Sequence, residues 1–238
     1  MEREYIKIKK PSPLPDYINH LKELDEAEWK NWVFYHILNF YQLYDKKELQ
    51  HKIDNEKKKP FPRPERAIAR YIRQWLKNDS EFDYHFQADG EKTNDEEVEG
   101  NYDITITNTY WSNKDFYFEC KNLDGDKDLT DKYVIYNTYK KDTLGKNIFD
   151  GGVLRYFNGK YAQKVNFGGM IGFILKGDLR TIKNDIINRL NVKFHTSPEG
   201  DLLKILDKSI LDNDFTFNSH HSRFGSEFTL HHLLFKLY

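Results

Sequence analysis

Residues 102–107 and 116–121 each alternate apolar with polar side chains, and only eight residues separate them. Successive side chains on a strand point to opposite faces, so each segment reads as a strand with one face made for a core. In the first, Tyr102, Ile104 and Ile106 form the apolar face and Asp103, Thr105 and Thr107 the polar one. In the second, Phe116, Phe118 and Cys120 share the apolar face, and Tyr117, Glu119 and Lys121 share the other. Ser112-Asn113-Lys114-Asp115 between them has the composition of a turn. A hairpin follows, and it brings Asp103 beside Glu119 without any long-range pairing.

The residue types on the polar faces narrow the chemistry. Mg²⁺ prefers oxygen ligands and takes only one or two protein carboxylates, with water and substrate phosphate completing its shell. Asp103 and Glu119 supply two carboxylates. Lys121, two residues on, points the same way, where an ammonium can orient a water or stabilise the transition state of phosphodiester hydrolysis. The other reading of Glu119 and Lys121 is a solvent-facing ion pair, worth at most about 1 kcal/mol.

Upstream, Ile68, Tyr71, Ile72, Trp75 and Leu76 recur at helical spacing over residues 63–77, after Pro64 in the first turn. Glu65 falls on that apolar stripe. It is either a first-turn acid favoured by the helix N-terminus or a buried acid aimed at a metal site. Arg66, Arg70, Arg73 and Lys77 line another face. They form either a solvated surface or a track for phosphates.

A helix with Glu, a strand with Asp and a strand with Glu-x-Lys resemble the PD-(D/E)XK nuclease superfamily, the restriction-endonuclease-like fold, over residues 60–180. The resemblance implies an α/β fold, a central mixed β-sheet flanked by helices. It implies a catalytic set of Glu65, Asp103, Glu119 and Lys121, with Asp103, Glu119 and Glu65 holding Mg²⁺, or Mn²⁺ in its place. In that superfamily a polar residue of the helix after the motif strands borders the site, which makes Arg155 a candidate phosphate contact; a surface ion pair is its other reading. The Pro that often precedes the motif Asp is replaced by Tyr102. By the same resemblance the expected activity is metal-dependent endonucleolytic cleavage of DNA, in bacterial defence against foreign DNA. An RNase, a repair nuclease and an inactive nucleic-acid-binding module of the same fold are the alternatives. The expected partners are DNA or RNA, with a homodimer or a defence-system protein as possible assemblies.

Composition sets the remaining bounds. A chain of 238 residues can bury one good core. Pro60, Pro62 and Pro64 divide an aromatic-rich helical segment, residues 1–59, from a nuclease-like domain, residues 60–238. The single cysteine, Cys120, rules out an intramolecular disulfide and suits an intracellular setting. The charged N-terminus and the absence of a long apolar run point to a cytoplasmic protein with no membrane span. Net charge is −1, but its distribution is uneven. Residues 46–77 hold eleven Lys and Arg against four acids, whereas residues 79–103 hold ten acids against one Lys. The acidic run reads as a solvated loop or as a rim beside the site.

Along the rest of the chain, helices are predicted over residues 16–50, 130–149, 153–157, 178–191 and 201–211. Strands are predicted over residues 81–87, 168–175, 215–217 and 228–237. The histidine pairs His220-His221 and His231-His232 fit no zinc spacing. Neighbours on a strand face opposite ways, so they read as surface or packed residues.

Overall fold

The computed structural model describes residues 24–90, 101–111, 114–135, 145, 150–196, 200–206 and 213–238. Its helices are α1 (Glu26–Leu43), α2 (Lys46–Lys57), α3 (Pro64–Asn78), α4 (Ser80–His85), α5 (Lys127–Val134) and α6 (Leu179–Phe194). Its strands are β1 (Gln87–Asp89), β2 (Ile104–Thr107), β3 (Phe116–Leu123), β4 (Phe167–Ile174), β5 (Asp201–Leu206), β6 (Thr216–Arg223) and β7 (Ser226–Lys236). A 3₁₀ turn, Gly152–Tyr156, precedes β4. The strands form one mixed sheet in the order β1-β2-β3-β4-β7-β6-β5. β4 lies parallel to both β3 and β7, and the other pairings are antiparallel.

All eight residues of β4 are buried, as a central parallel strand requires. Helices cover both faces. On one, Phe34 of α1 packs edge-on against Phe116 and Phe118, and Tyr41 stacks on Phe235 at 4.4 Å. On the other, Tyr133 of α5 meets His232, and Lys183 of α6 lies over Phe217. Side chains before residue 60 and after it therefore belong to one continuous core.

Local sequence sets most of the helix starts. Asp25, Asp45, Asp79, Asp126 and Asp178 accept backbone N–H groups at the starts of α1, α2, α4, α5 and α6. α3 has no such cap and starts on Pro64, with Glu65 in its first turn.

Several segments differ from their predicted state. Residues 81–87 alternate like a strand, yet Asp79 accepts the N–H groups of Glu81 and Phe82 at 3.0 and 3.3 Å and starts α4 instead. Phe82 and Phe86 then stack on each other in the core, Tyr84 is exposed, and the strand begins only at Gln87. Residues 201–206 form β5, not a helix. Pairing with the free side of β6 outweighs a weak helical period, and the register slips between Leu202 and Lys204. The turn at 152–156 is 3₁₀, not α-helical. The acidic run 91–100, residues 16–23 and most of 136–149 lie outside the described residues.

Of the C-terminal histidines, His221, His231 and His232 are core residues, and half-buried His220 pairs with exposed Glu227 at 2.9 Å. His231 faces Phe34 on one side of the sheet and His232 faces Tyr133 on the other. His221 Nδ1 lies 3.1 Å from the Gly200 carbonyl, so it must donate, which leaves Nε2 as an acceptor. Ser219 Oγ then donates to His221 Nε2 at 2.9 Å and accepts from His232 Nε2 at 2.9 Å, and Tyr133 donates to His232 Nδ1 at 3.0 Å. One carbonyl thereby fixes both tautomers, and both rings are neutral. Burial holds each histidine below the usual range, His221 at about 4.

Candidate active site at the splayed end of strand β3

β2 pairs with β3 as far as Ile104 opposite Phe118, whereas β3 runs on to Leu123. Asp103 N–H still reaches the Phe118 carbonyl at 3.2 Å. Two residues later, Cys120 presents its N–H and C=O to the same side, beyond the end of the β2 pairing. Side chains take over. Asp103 Oδ2 accepts the Cys120 N–H at 2.7 Å, and Lys121 Nζ donates to the Cys120 carbonyl at 3.1 Å. The chain bends at Asp103, and this turns Tyr102 away from the face of Ile104 and Ile106. Its ring stacks on Tyr117 at 4.0 Å and lies 4.5 Å from that of Tyr161.

Glu119 is buried at the centre of the cluster. Its Oε1 accepts from Lys121 Nζ and, at 3.0 Å, from Arg155 Nη1. Its Oε2 accepts from the Tyr161 hydroxyl at 3.0 Å. Arg155 Nη1 also donates to the Tyr161 oxygen at 2.7 Å. Asp150, likewise buried, lies 3.7 Å from Arg155 Nε and accepts from Lys160 Nζ at 2.5 Å.

These contacts set the charges. Burial, then repulsion from Glu119, lifts the Asp103 carboxyl to about 7; Lys121 and the Cys120 N–H offset only part of the rise. Burial also opposes ionisation of Glu119, but the Lys121 and Arg155 charges outweigh it and hold that carboxyl below its ordinary value. Burial disfavours charged Lys121, yet Glu119 and Asp103 more than compensate and raise it. Near neutral pH, Lys121 is therefore an ammonium, Glu119 a carboxylate, and Asp103 close to half ionised. In this state Lys121 can donate a hydrogen bond but cannot take a proton.

The structure brings Asp103, Glu119, Lys121 and Arg155 together. Glu65 is placed elsewhere. It lies on the sheet-facing side of α3, against the face of Phe116, Phe118 and Cys120, and its Oε2 accepts from Asn122 Nδ2 at 2.9 Å. Asn122 alternates with Lys121, so Glu65 approaches β3 from the face opposite Glu119, contrary to the expected shared cleft. Nor do the four cations of α3 form one open stripe. Arg73 donates to the Asp103 carbonyl and fills the space beside Gly90, where a Cβ would lie 2.0 Å from the guanidinium carbon. Lys77 is 3.6 Å from Asp89, Arg66 is half-buried, and Arg70 is exposed.

Tyr161, Asp150 and Lys160 complete the cluster without having been singled out from the sequence. They belong to a segment with no regular period, so spacing gives no sign of them. Tyr156 anchors that segment. Its ring covers Gly168, where a Cβ would lie 2.3 Å away, and its hydroxyl reaches the Gly169 and Tyr117 carbonyls at 2.7 and 3.1 Å.

The donor set suits a hard cation. Two carboxylates and the Cys120 carbonyl offer oxygen atoms at one strand edge, and Asp103 already bears the cost of a second negative charge next to Glu119. Among the described residues, no group of three or more His, Cys, Asp or Glu is placed to hold a metal ion. Two carboxylates are within what Mg²⁺ ordinarily takes from protein. Among the described residues, no helix is long and apolar enough to cross a membrane. Compared with protein-family models, curated proteins and solved structures, the chain finds no match.

Proposed function

We propose that this chain is a divalent-metal-dependent nuclease with a restriction-endonuclease-like core, cleaving DNA phosphodiester bonds in defence against foreign DNA. The observation that carries the reading is the convergence of Asp103, Glu119 and ammonium Lys121 where β2 leaves β3. Asp103 and Glu119 would hold Mg²⁺ or Mn²⁺, which lowers the pKa of a bound water and offsets phosphate charge. Lys121 would present its ammonium as a hydrogen-bond donor to the reacting phosphate, where such donors are worth on the order of 3 kcal/mol. Arg155, already beside Glu119, adds a second cation. Glu65 and Asn122 form the opposite wall of the strand end, and exposed Arg70 and Lys77 offer phosphate contacts along α3.

A second reading has its own support. Lys121 and Arg155 both pair with Glu119, and Asp103 and Lys121 both satisfy Cys120, so the cluster can also serve as an internal tie. That is the state expected of an inactive nucleic-acid-binding module. Incubating purified protein with plasmid, linear and single-stranded DNA and with RNA, in Mg²⁺, Mn²⁺ or EDTA, separates the two. Metal-dependent cleavage of DNA supports the first reading, cleavage of RNA alone moves the substrate, and binding without cleavage supports the second.

A further inference from the structure

Among the described residues, the hydroxyl of Tyr161 is the group that touches Oε2 of Glu119 and also joins Glu119 to a neighbouring cation. Its single proton is shared between Glu119 Oε2 at 3.0 Å and the Asn101 carbonyl, and its oxygen accepts from Arg155 Nη1 at 2.7 Å. Lys121 and Arg155 both act on Oε1, whereas Tyr161 is the donor to Oε2 among the described residues. Tyr161 is rigidly held. Its ring packs on Tyr102 at 4.5 Å and edge-on to Tyr156 at 5.5 Å.

The loop that carries it is shaped by a residue on the same face of the sheet, three strands away from β3. Arg223, buried at the end of β6, donates to the carbonyls of Tyr156 at 3.1 Å, Ala162 at 3.0 Å and Val165 at 2.5 Å. Its guanidinium also sits 4.0 Å from the Phe228 ring centre. Ala162 has a φ of 56°, a left-handed conformation that a non-glycine residue keeps only when its surroundings impose it. Directly after Tyr161, the backbone is held in this turn by Arg223 on its carbonyl and by Tyr102, whose hydroxyl accepts the Ala162 N–H at 3.1 Å.

We propose that Tyr161 is a positioning residue for divalent-cation binding: its hydroxyl fixes the orientation of Glu119, and Arg223 fixes the loop that delivers it. This rests on the reading of Asp103 and Glu119 as the cation's ligands. Groups that orient a ligating carboxylate typically change metal affinity 10–100-fold when removed.

The test is calorimetric titration of the full chain with Mn²⁺ alone, without nucleic acid. Tyr161→Phe keeps the ring packing and removes only the hydroxyl, and it should weaken Mn²⁺ binding at least about 10-fold. Tyr156→Phe is the control. It loses an equally buried hydroxyl that touches only the Gly169 and Tyr117 carbonyls, so it should lower the melting temperature and leave Mn²⁺ affinity within about 2-fold of the parent, as expected where no ligand is oriented. Arg223→Lys, which keeps the charge but not the fork of donors, should fall between parent and Tyr161→Phe in affinity. Equal affinity for parent and Tyr161→Phe overturns this inference alone. A parent that binds no Mn²⁺ overturns the functional reading and this inference with it. Equal loss in Tyr161→Phe and Tyr156→Phe shows general loosening and also overturns it.

Discussion

Replacing Asp103 by Asn should stabilise the metal-free protein, by an amount that grows with pH. Asn keeps an oxygen for the Cys120 N–H and removes the charge that Glu119 repels. The Asp103 carboxyl titrates near 7 in the folded chain, against 3.8 for an ordinary Asp. Because the folded value is the higher one, the folded state holds the proton more tightly. The contribution of Asp103 is fully favourable below about 4 and is lost as pH rises to about 7. Each pH unit in that window is worth about 1.4 kcal/mol, giving a ceiling of about 4 kcal/mol. Residual exposure of Asp103 and its coupling to Glu119 bring the expected gain to roughly 2 kcal/mol at pH 8. For a chain of this size that is roughly 4–8 °C in melting temperature. The assay is a set of melting curves of parent and Asp103→Asn from pH 5 to pH 8.5, with and without Mg²⁺. Without metal the variant's advantage should widen up to about pH 7 and then level off. With saturating Mg²⁺ the gap should narrow, since only the parent is stabilised by binding. A difference that is constant across pH, or a variant less stable than the parent at pH 8, would refute the electrostatic account of Asp103.

Three further outcomes follow from the same structure. The neutral rings of His221, His231 and His232 are held below 6.5 by burial. The unfolded chain therefore takes up protons first, and stability should fall as pH drops below about 6.5, by up to about 4 kcal/mol per pH unit for three groups; His231→Asn, which removes one of them, should make the acid slope in urea melts shallower, and an unchanged slope would contradict the burial argument. Nucleic-acid binding should weaken with salt, with about 0.9 in the log–log slope per duplex phosphate contacted; Arg70→Ala with Lys77→Ala should reduce that slope, and an unaltered slope would place the contact surface elsewhere. Arg73→Ala should instead lower the melting temperature by removing a side chain that holds the Asp103 carbonyl, a loss on the order of 1–3 kcal/mol; unaltered stability would return Arg73 to the binding surface.

The hairpin was legible because strand alternation and a turn are local signals, and its last pair, Ile104 opposite Phe118, leaves Asp103 and Glu119 next to each other. α3 and α6 were legible from helical spacing, and β4 from an unbroken apolar run. Residues 81–87 misled because a capped helical turn can bury Phe82 and Phe86 as well as a strand can, and Asp79 decides between them. β5 misled because strand pairing is decided by a distant neighbour, β6. At the site, the alternating residues were readable but the enclosing ones were not. Tyr161 reaches Glu119 from a loop held by Tyr156, Tyr102 and, 62 residues later, Arg223. Half-buried Glu65 lies on the sheet-facing side of α3, but a helical wheel does not say which face of the sheet that side will cover.

The central claim is tested most directly by the single-turnover cleavage rate of DNA by the parent and by Lys121→Ala at saturating Mg²⁺, beside Mg²⁺ affinity measured by calorimetry. Lys121 is an ammonium that ligates no metal, so its loss should slow cleavage by about 10²-fold or more while Mg²⁺ still binds. A Lys121→Ala protein that cuts at the parental rate, or a parent that does not cut at all, would contradict the account.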